Sequence, residues 1–250
     1  MNKKLTAAIY VAILASFALS QNAAAQPSAS FVIWRQTTEL NVVRATDWDG
    51  TDDTADARGR NWDNRGSGLG IRVGYNFPRL VSLYGLLGLA QVTVRDEDLA
   101  DPMLDLDSRG FDDDVYFAAG VRISDDFPNN ERVFWSASLA FSFFSSDVEQ
   151  DIARSWNYDE TMGWLKGTAG YKVHGVGLYG GLRLVWYDGE LIEADITNTP
   201  GQQTRIIEFE RDNDFDLLIG ARTIGVPVGG FVELNAVGSF GAVAGFSFTF

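Results

Sequence analysis

What most constrains this chain is a two-residue alternation of apolar and polar side chains that recurs from one short segment to the next. In segment 68–77, Leu69, Ile71, Val73, Tyr75 and Phe77 alternate with glycine, arginine and asparagine. Segment 132–143 sets Val133, Trp135, Ala137, Leu139, Phe141 and Phe143 against Arg132, Ser136, Ser138 and Ser142. Val115, Phe117, Ala119, Val121 and Ile123 likewise oppose Tyr116 and Arg122, and Leu178, Leu182, Leu184 and Trp186 oppose Tyr179, Arg183 and Tyr187. Successive side chains of a strand point to opposite faces, so each segment reads as a strand between two environments. Six more strands are expected at 31–45, 80–94, 161–173, 204–224, 230–238 and 241–250, making ten. The division of 231–250 leaves eight as the alternative.

Beyond residue 25, glycine, serine, threonine or a charge interrupts every apolar stretch, so no segment reads as a membrane helix. Strands alone can then cross a bilayer, and lipid leaves no partner for an open edge, so they must close into a barrel. At the N-terminus, Met1-Asn2-Lys3-Lys4, an apolar run from Leu5 to Leu19 and Ala23-Ala24-Ala25 form a basic, an apolar and a small-residue region. That is the pattern of a secretory signal peptide, expected over 1–25, with the barrel domain over 26–250.

Links between the strands alternate in length. Short ones fall at Pro78-Arg79, Ser124–Glu131, His174-Gly175 and Val226–Gly229, and long polar ones at 46–67, 95–113, 147–160 and 189–203. Outer-membrane barrels have short periplasmic turns and longer extracellular loops, which places both termini in the periplasm. An internal echo agrees: Gly70-Ile71-Arg72, Gly120-Val121-Arg122, Gly170-Tyr171-Lys172 and Gly220-Ala221-Arg222 recur every 50 residues. Each triplet closes a strand before a short turn, with its basic residue on the face away from lipid.

The last strand, Gly241-Ala242-Val243-Ala244-Gly245-Phe246-Ser247-Phe248-Thr249-Phe250, alternates aromatics and ends on one. It resembles the C-terminal signature of bacterial outer-membrane proteins. With strands such as Leu83-Tyr84-Gly85-Leu86-Leu87-Gly88, the chain is similar to the OmpA/OmpX-like superfamily of small barrels over nearly all of 31–250. That resemblance implies an all-β, antiparallel up-and-down transmembrane β-barrel in the outer membrane of a Gram-negative bacterium. Its partners would be membrane lipid and lipopolysaccharide, and the barrel-assembly machinery reading Phe250. Unlike OmpA itself, the chain shows no periplasmic domain after the barrel.

Cysteine is absent, which excludes disulfides and thiolate chemistry. Removal of Lys3 and Lys4 with the signal would take the net charge from −14 to −16, a balance that disfavours nucleic acid. The only histidine, His174, falls in a turn, at the opposite end from where barrel enzymes of known families carry theirs. Asp214 and Asp216 point the same way along a strand and would more simply form ion pairs than share a catalytic proton. The expected lumen charges are Arg35, Glu39, Arg72, Arg122, Lys166, Lys172, Arg183, Asp214, Asp216, Arg222 and Glu233. A small barrel has room inside for little beyond side chains, so these are expected to interlock as a polar plug. The other reading is a narrow pore, since basic residues outnumber acidic ones.

Acidic residues crowd the first two outer loops, as in Asp47, Asp49, Asp52, Asp53 and Asp56, then Asp96, Glu97 and Asp98. They could gather divalent cations, but Asp47-Trp48-Asp49-Gly50-Thr51-Asp52 lacks the EF-hand order. Trp34, Tyr75, Phe77, Trp135, Tyr171, Trp186, Phe246 and Phe248 are expected in interfacial girdles. The function read from the residues is a non-enzymatic structural or surface-interaction role, with no cofactor. A pore for ions or small solutes is the alternative, and a lipid-modifying or proteolytic barrel comes third.

Overall fold

The alternating segments become eleven strands with one short helix between the first two. In chain order these are β1 (Gln26–Thr46), α1 (Thr54–Arg58), β2 (Trp62–Asn76), β3 (Val81–Asp96), β4 (Ser108–Phe127), β5 (Asn130–Asp151), β6 (Arg154–Val173), β7 (Val176–Asp195), β8 (Thr204–Arg211), β9 (Phe215–Thr223), β10 (Val228–Val237) and β11 (Ser239–Thr249). The structure is a computed structural model that describes residues 26–46, 50–58, 61–77, 80–96, 108–151, 154–195 and 204–250. The expected signal peptide and much of the second acidic loop, 97–107, lie outside the described residues.

Every strand pairing is antiparallel, and the sheet closes where β11 pairs with β1 from Ser28 opposite Thr249 to Thr38 opposite Ser239. Closure removes the free edge that hydrocarbon could not satisfy. At the turn end the ring runs through β1 to β7, then β9, β10 and β11, which is ten strands. At the loop end it runs through β1 to β7 and then β8, which is eight. β8 pairs with β7 over Gly189–Ala194 and with β1 over Leu40–Thr46, so the β10–β11 hairpin is a wedge that stops beneath it. The expected segment 204–224 is thus two strands. Both strand counts occur, at opposite ends of one barrel.

The tip of that wedge is tight. Gly238 has φ of 81°, and a Cβ there would lie 1.9 Å from the Phe215 carbonyl oxygen, so glycine is required. Across the β8–β9 break, Asp212 N donates to Glu39 O at 3.2 Å and Val185 N to Asp214 O at 2.7 Å. The backbone therefore stays bonded where the strand number changes.

Outward side chains in the ten-stranded part are apolar and exposed: Ile71 to 58%, Leu87 to 61% and Ile219 to 60%. Water does not tolerate such a continuous aliphatic ring, so this belt faces hydrocarbon. On β7 it runs from Val176 to Trp186, about the 9–11 residues that a tilted strand needs to span a bilayer. Tyr75, Tyr171, Phe246 and Phe248 border it toward the turns, and Trp186, Phe141 and Phe240 toward the loops. The fold is that of a closed, membrane-spanning β-barrel. One expected girdle residue is misplaced: Trp34 faces inward, its ring 4.9 Å from that of Tyr116. Its even position puts it on the opposite face from Phe31 and Ile33.

Beyond the belt the two faces exchange character. Leu40, Val42, Trp62, Val92, Phe111, Phe144, Trp156, Tyr158, Leu191, Ile207 and Phe209 point inward and bury themselves in one apolar core, joined by Ala57 of α1. Arg65, Asp147 and Glu210 are exposed outside. The long loop expected at 147–160 is consequently mostly strand, because β5 reaches Asp151 and β6 starts at Arg154; that expected at 189–203 is strand as far as Asp195, and 196–203 lies outside the described residues.

An arginine within the belt should cost far more than one above it. Ile71→Arg is expected to lower unfolding free energy in lipid vesicles by roughly 2–4 kcal/mol, and Val43→Arg by about 1 kcal/mol or less. Urea titration followed by tryptophan fluorescence measures both, and equal losses would place Ile71 outside hydrocarbon.

Candidate functional site

The ten-stranded part is wide enough to leave space inside. Its lumen holds a cavity of about 520 Å³, reaching from Ser28, Asn76 and Thr249 near the turns up to Val92 and Phe144 at the base of the apolar core. Three polar groups line or brace it.

The first sits where ten strands become eight. Asp216 of β9 is fully buried and accepts hydrogen bonds from Arg183 Nε at 2.6 Å, Arg211 Nη2 at 2.7 Å and Ser239 Oγ at 2.9 Å. A carboxylate withdrawn from water needs such partners, and these four residues stand on β9, β7, β8 and β11. The cluster therefore pins the wedge to the strands that flank and cover it. Nothing in the local pattern distinguishes Arg211, which the sequence reading missed. Its role follows only from the β8–β9 break.

A second group spans the lumen. Lys166 Nζ of β6 donates to both carboxylate oxygens of Glu233 on β10, at 3.0 and 2.9 Å, and Tyr179 OH of β7 adds a bond at 3.1 Å. The third lies under the apolar core, where Asn64 Nδ2 donates to Glu160 Oε2 at 2.6 Å and Tyr158 OH donates to the same oxygen at 3.0 Å. Tyr187 and Tyr158 also hydrogen-bond one another. Sequence reading missed this group too, because 147–160 reads as a loop, although Tyr158 and Glu160 already alternate with Asp159.

Three further arginines project inward without a carboxylate partner within ion-pair distance among the described residues. The Arg72 guanidinium carbon stands 5.6 Å from the Tyr84 ring centre and 5.3 Å from that of Phe231. Arg222 stands 4.5 Å above Phe134. Arg122 lies within electrostatic reach of Arg72 and Lys166 and of Glu233, which Lys166 already holds, and its buried Nε finds no acceptor.

Of the expected lumen charges, Arg72, Arg122, Lys166, Arg183, Asp216, Arg222 and Glu233 do face the interior. Lys172 sits at the turn-end rim, where Nζ meets Asp126 Oδ2 at 2.6 Å. Arg35 and Glu39 are exposed in phase with the outward Phe31 and Ile33 of β1, and of the two only Arg35 also borders the cavity, so the expected lumen placement fails for Glu39. Asp214 is likewise not in the lumen: it is exposed in the β8–β9 link, where the strand is interrupted and its alternation lapses. It cannot share a proton with Asp216, which two arginines hold. His174 is exposed in a two-residue turn, with φ of 47° beside Gly175 at 83°, the signs a type I′ hairpin requires. Phe250 is exposed at the turn end, its N–H donating to Pro27 O at 3.0 Å.

No protein-family model matches the chain, and no curated protein matches it. Among solved structures, it is similar to the outer-membrane protease OmpT of Escherichia coli (11% identity, 92% of this chain and 98% of that one, TM-score 0.49). It is also similar to the outer-membrane protein OprG of Pseudomonas aeruginosa (11%, 89% and 96%, TM-score 0.46). The translocator domain of the autotransporter NalP from Neisseria meningitidis is a further likeness (10%, 99% and 96%, TM-score 0.42).

Neutralising Asp216 should strand two buried guanidiniums. Asp216→Asn is expected to destabilise the barrel by about 3–5 kcal/mol. Adding Arg211→Met should recover part of that loss. Thermal conversion between compact and unfolded forms on a semi-native gel reads both, and no recovery in the double variant would contradict the pairing.

Proposed function

We propose that the protein is a non-enzymatic, non-conducting outer-membrane barrel that carries its acidic loops as a rigid platform at the cell surface, with the turns and both strand termini in the periplasm. The closure of the loop end carries this reading. Tyr158, Leu191 and Ile207 have no exposed surface, and they belong to a core that fills the eight-stranded part of the lumen. Ion passage needs a continuous polar path, and side chains packed this way leave none.

The first loop is tied down in a manner that suits a platform. Arg58 of α1 donates to the carbonyls of Val42 at 2.9 Å and Val43 at 2.6 Å, and Trp62 Nε1 donates to Ala57 O at 3.2 Å. Arg205 of β8 stands 3.5 Å from Asp53. Hydrogen bonds from Thr54 hold the exposed Asp52 carboxyl below the usual carboxylate range, so it is charged at neutral pH. Lipopolysaccharide and bridging divalent cations are the partners this acidic surface suits. Among the described residues, no group of three or more acidic or histidine side chains is arranged to hold a metal by itself.

In planar bilayers the unaltered protein is expected to give no discrete conductance steps. Phe144→Ala combined with Tyr158→Ala removes two rings of the core, each truncation costing roughly 3–5 kcal/mol, and should produce steps if the variant inserts. Steps from the unaltered protein would instead favour the channel. The exported form is also proposed to start at Gln26, which N-terminal sequencing of the membrane-inserted chain checks.

A further inference from the structure

The apolar core closes one end of the lumen and leaves below it a cup whose charge is not balanced by its own side chains. Lys166 is matched by Glu233, and Arg183 and Arg211 converge on Asp216. Arg72, Arg122 and Arg222 have no such partner among the described residues, and the buried Arg122 Nε is without any acceptor. Glu233, the carboxylate within electrostatic reach of Arg72 and Arg122, is already held by Lys166. Cations with no carboxylate of their own at ion-pair distance are costly in a confined, partly apolar space, and an anion there would offset that cost. Two of the three guanidiniums lie on aromatic rings, Arg72 against Tyr84 and Phe231 and Arg222 against Phe134, so apolar surface stands beside them, and the one side-chain hydrogen bond Arg72 makes among the described residues is from Nη2 to Ser30 Oγ at 3.4 Å. A volume of about 520 Å³ falls within the range of small-molecule pockets.

We infer that this cup is a binding site for a small organic anion, a carboxylate or phosphate ester with an apolar body. It would be reached from the turn end, with its head group on Arg122 and its body against the rings that Arg72 and Arg222 face. The fork of a guanidinium suits either head group, and the rings select against a bare inorganic ion. The inference does not depend on whether the barrel conducts, since a pore with this lining would hold the same ligand.

Calorimetric titration of the full chain in detergent micelles with benzoate, phenyl phosphate, inorganic phosphate and chloride tests it. Saturable binding of benzoate or phenyl phosphate at least ten-fold tighter than inorganic phosphate is expected, and the tighter of the two names the head group. Arg122→Gln should weaken that binding at least ten-fold, and Arg122→Lys less. If Arg122→Gln does not insert, Arg222→Gln should show the same loss. Equal uptake of all four anions, no saturable heat, or unchanged affinity in a folded arginine variant would overturn the inference.

Discussion

Hydrocarbon offers a peptide group no hydrogen-bond partner, and most of this structure follows from that requirement. A chain of two-faced strands can enter lipid only if each strand is bonded on both sides, so the first and last must meet. Here β1 does so with β11 near the turns and with β8 near the loops. Between those two closures the strand number changes, and every peptide group at the change needs another arrangement. The Gly238 tip, the Asp212 and Val185 backbone bonds and the buried Asp216 cluster all lie at that level, because that is where the ordinary ladder is interrupted.

The same strands also pass from one solvent into another. Within the bilayer the outside is greasy and the lumen polar. Above it water surrounds the barrel, so the economical arrangement is the reverse, a dry interior with charged flanks. β1 shows the exchange along a single strand, with Phe31 and Ile33 facing out and Leu40 and Val42 facing in. Fewer strands make a narrower cylinder, which side chains can fill, and more strands make one that they cannot. The taper thus produces both the closed upper core and the open, arginine-lined space beneath it.

Period-two alternation in the membrane part was legible without any structure, and so were the turn-end links, the closing C-terminal strand and most inward charges. That signal is strong because a strand residue has only two directions to point and lipid rejects charge from one of them. It failed where one of those conditions lapsed. Glu39 lies near the edge of the belt, where lipid no longer penalises an outward charge, so its polarity misreported its face. At Asp214 the strand is broken and parity loses meaning. Segment 147–160 reads as a loop because its inward residues, Trp156 and Tyr158, are the apolar ones, in the opposite phase to the strands below.

By itself, then, the order of residues determined that this chain is a closed antiparallel barrel, which face of each membrane strand meets lipid, and that basic groups gather inside. Those properties depend on neighbours one or two positions apart. Only the tertiary structure decided that the barrel narrows from ten strands to eight, that Arg211 joins Arg183 on Asp216, and that Arg72, Arg122 and Arg222 remain unmatched. Those outcomes depend on the register in which distant strands meet and on how much space the closed ring leaves, quantities that no local pattern encodes.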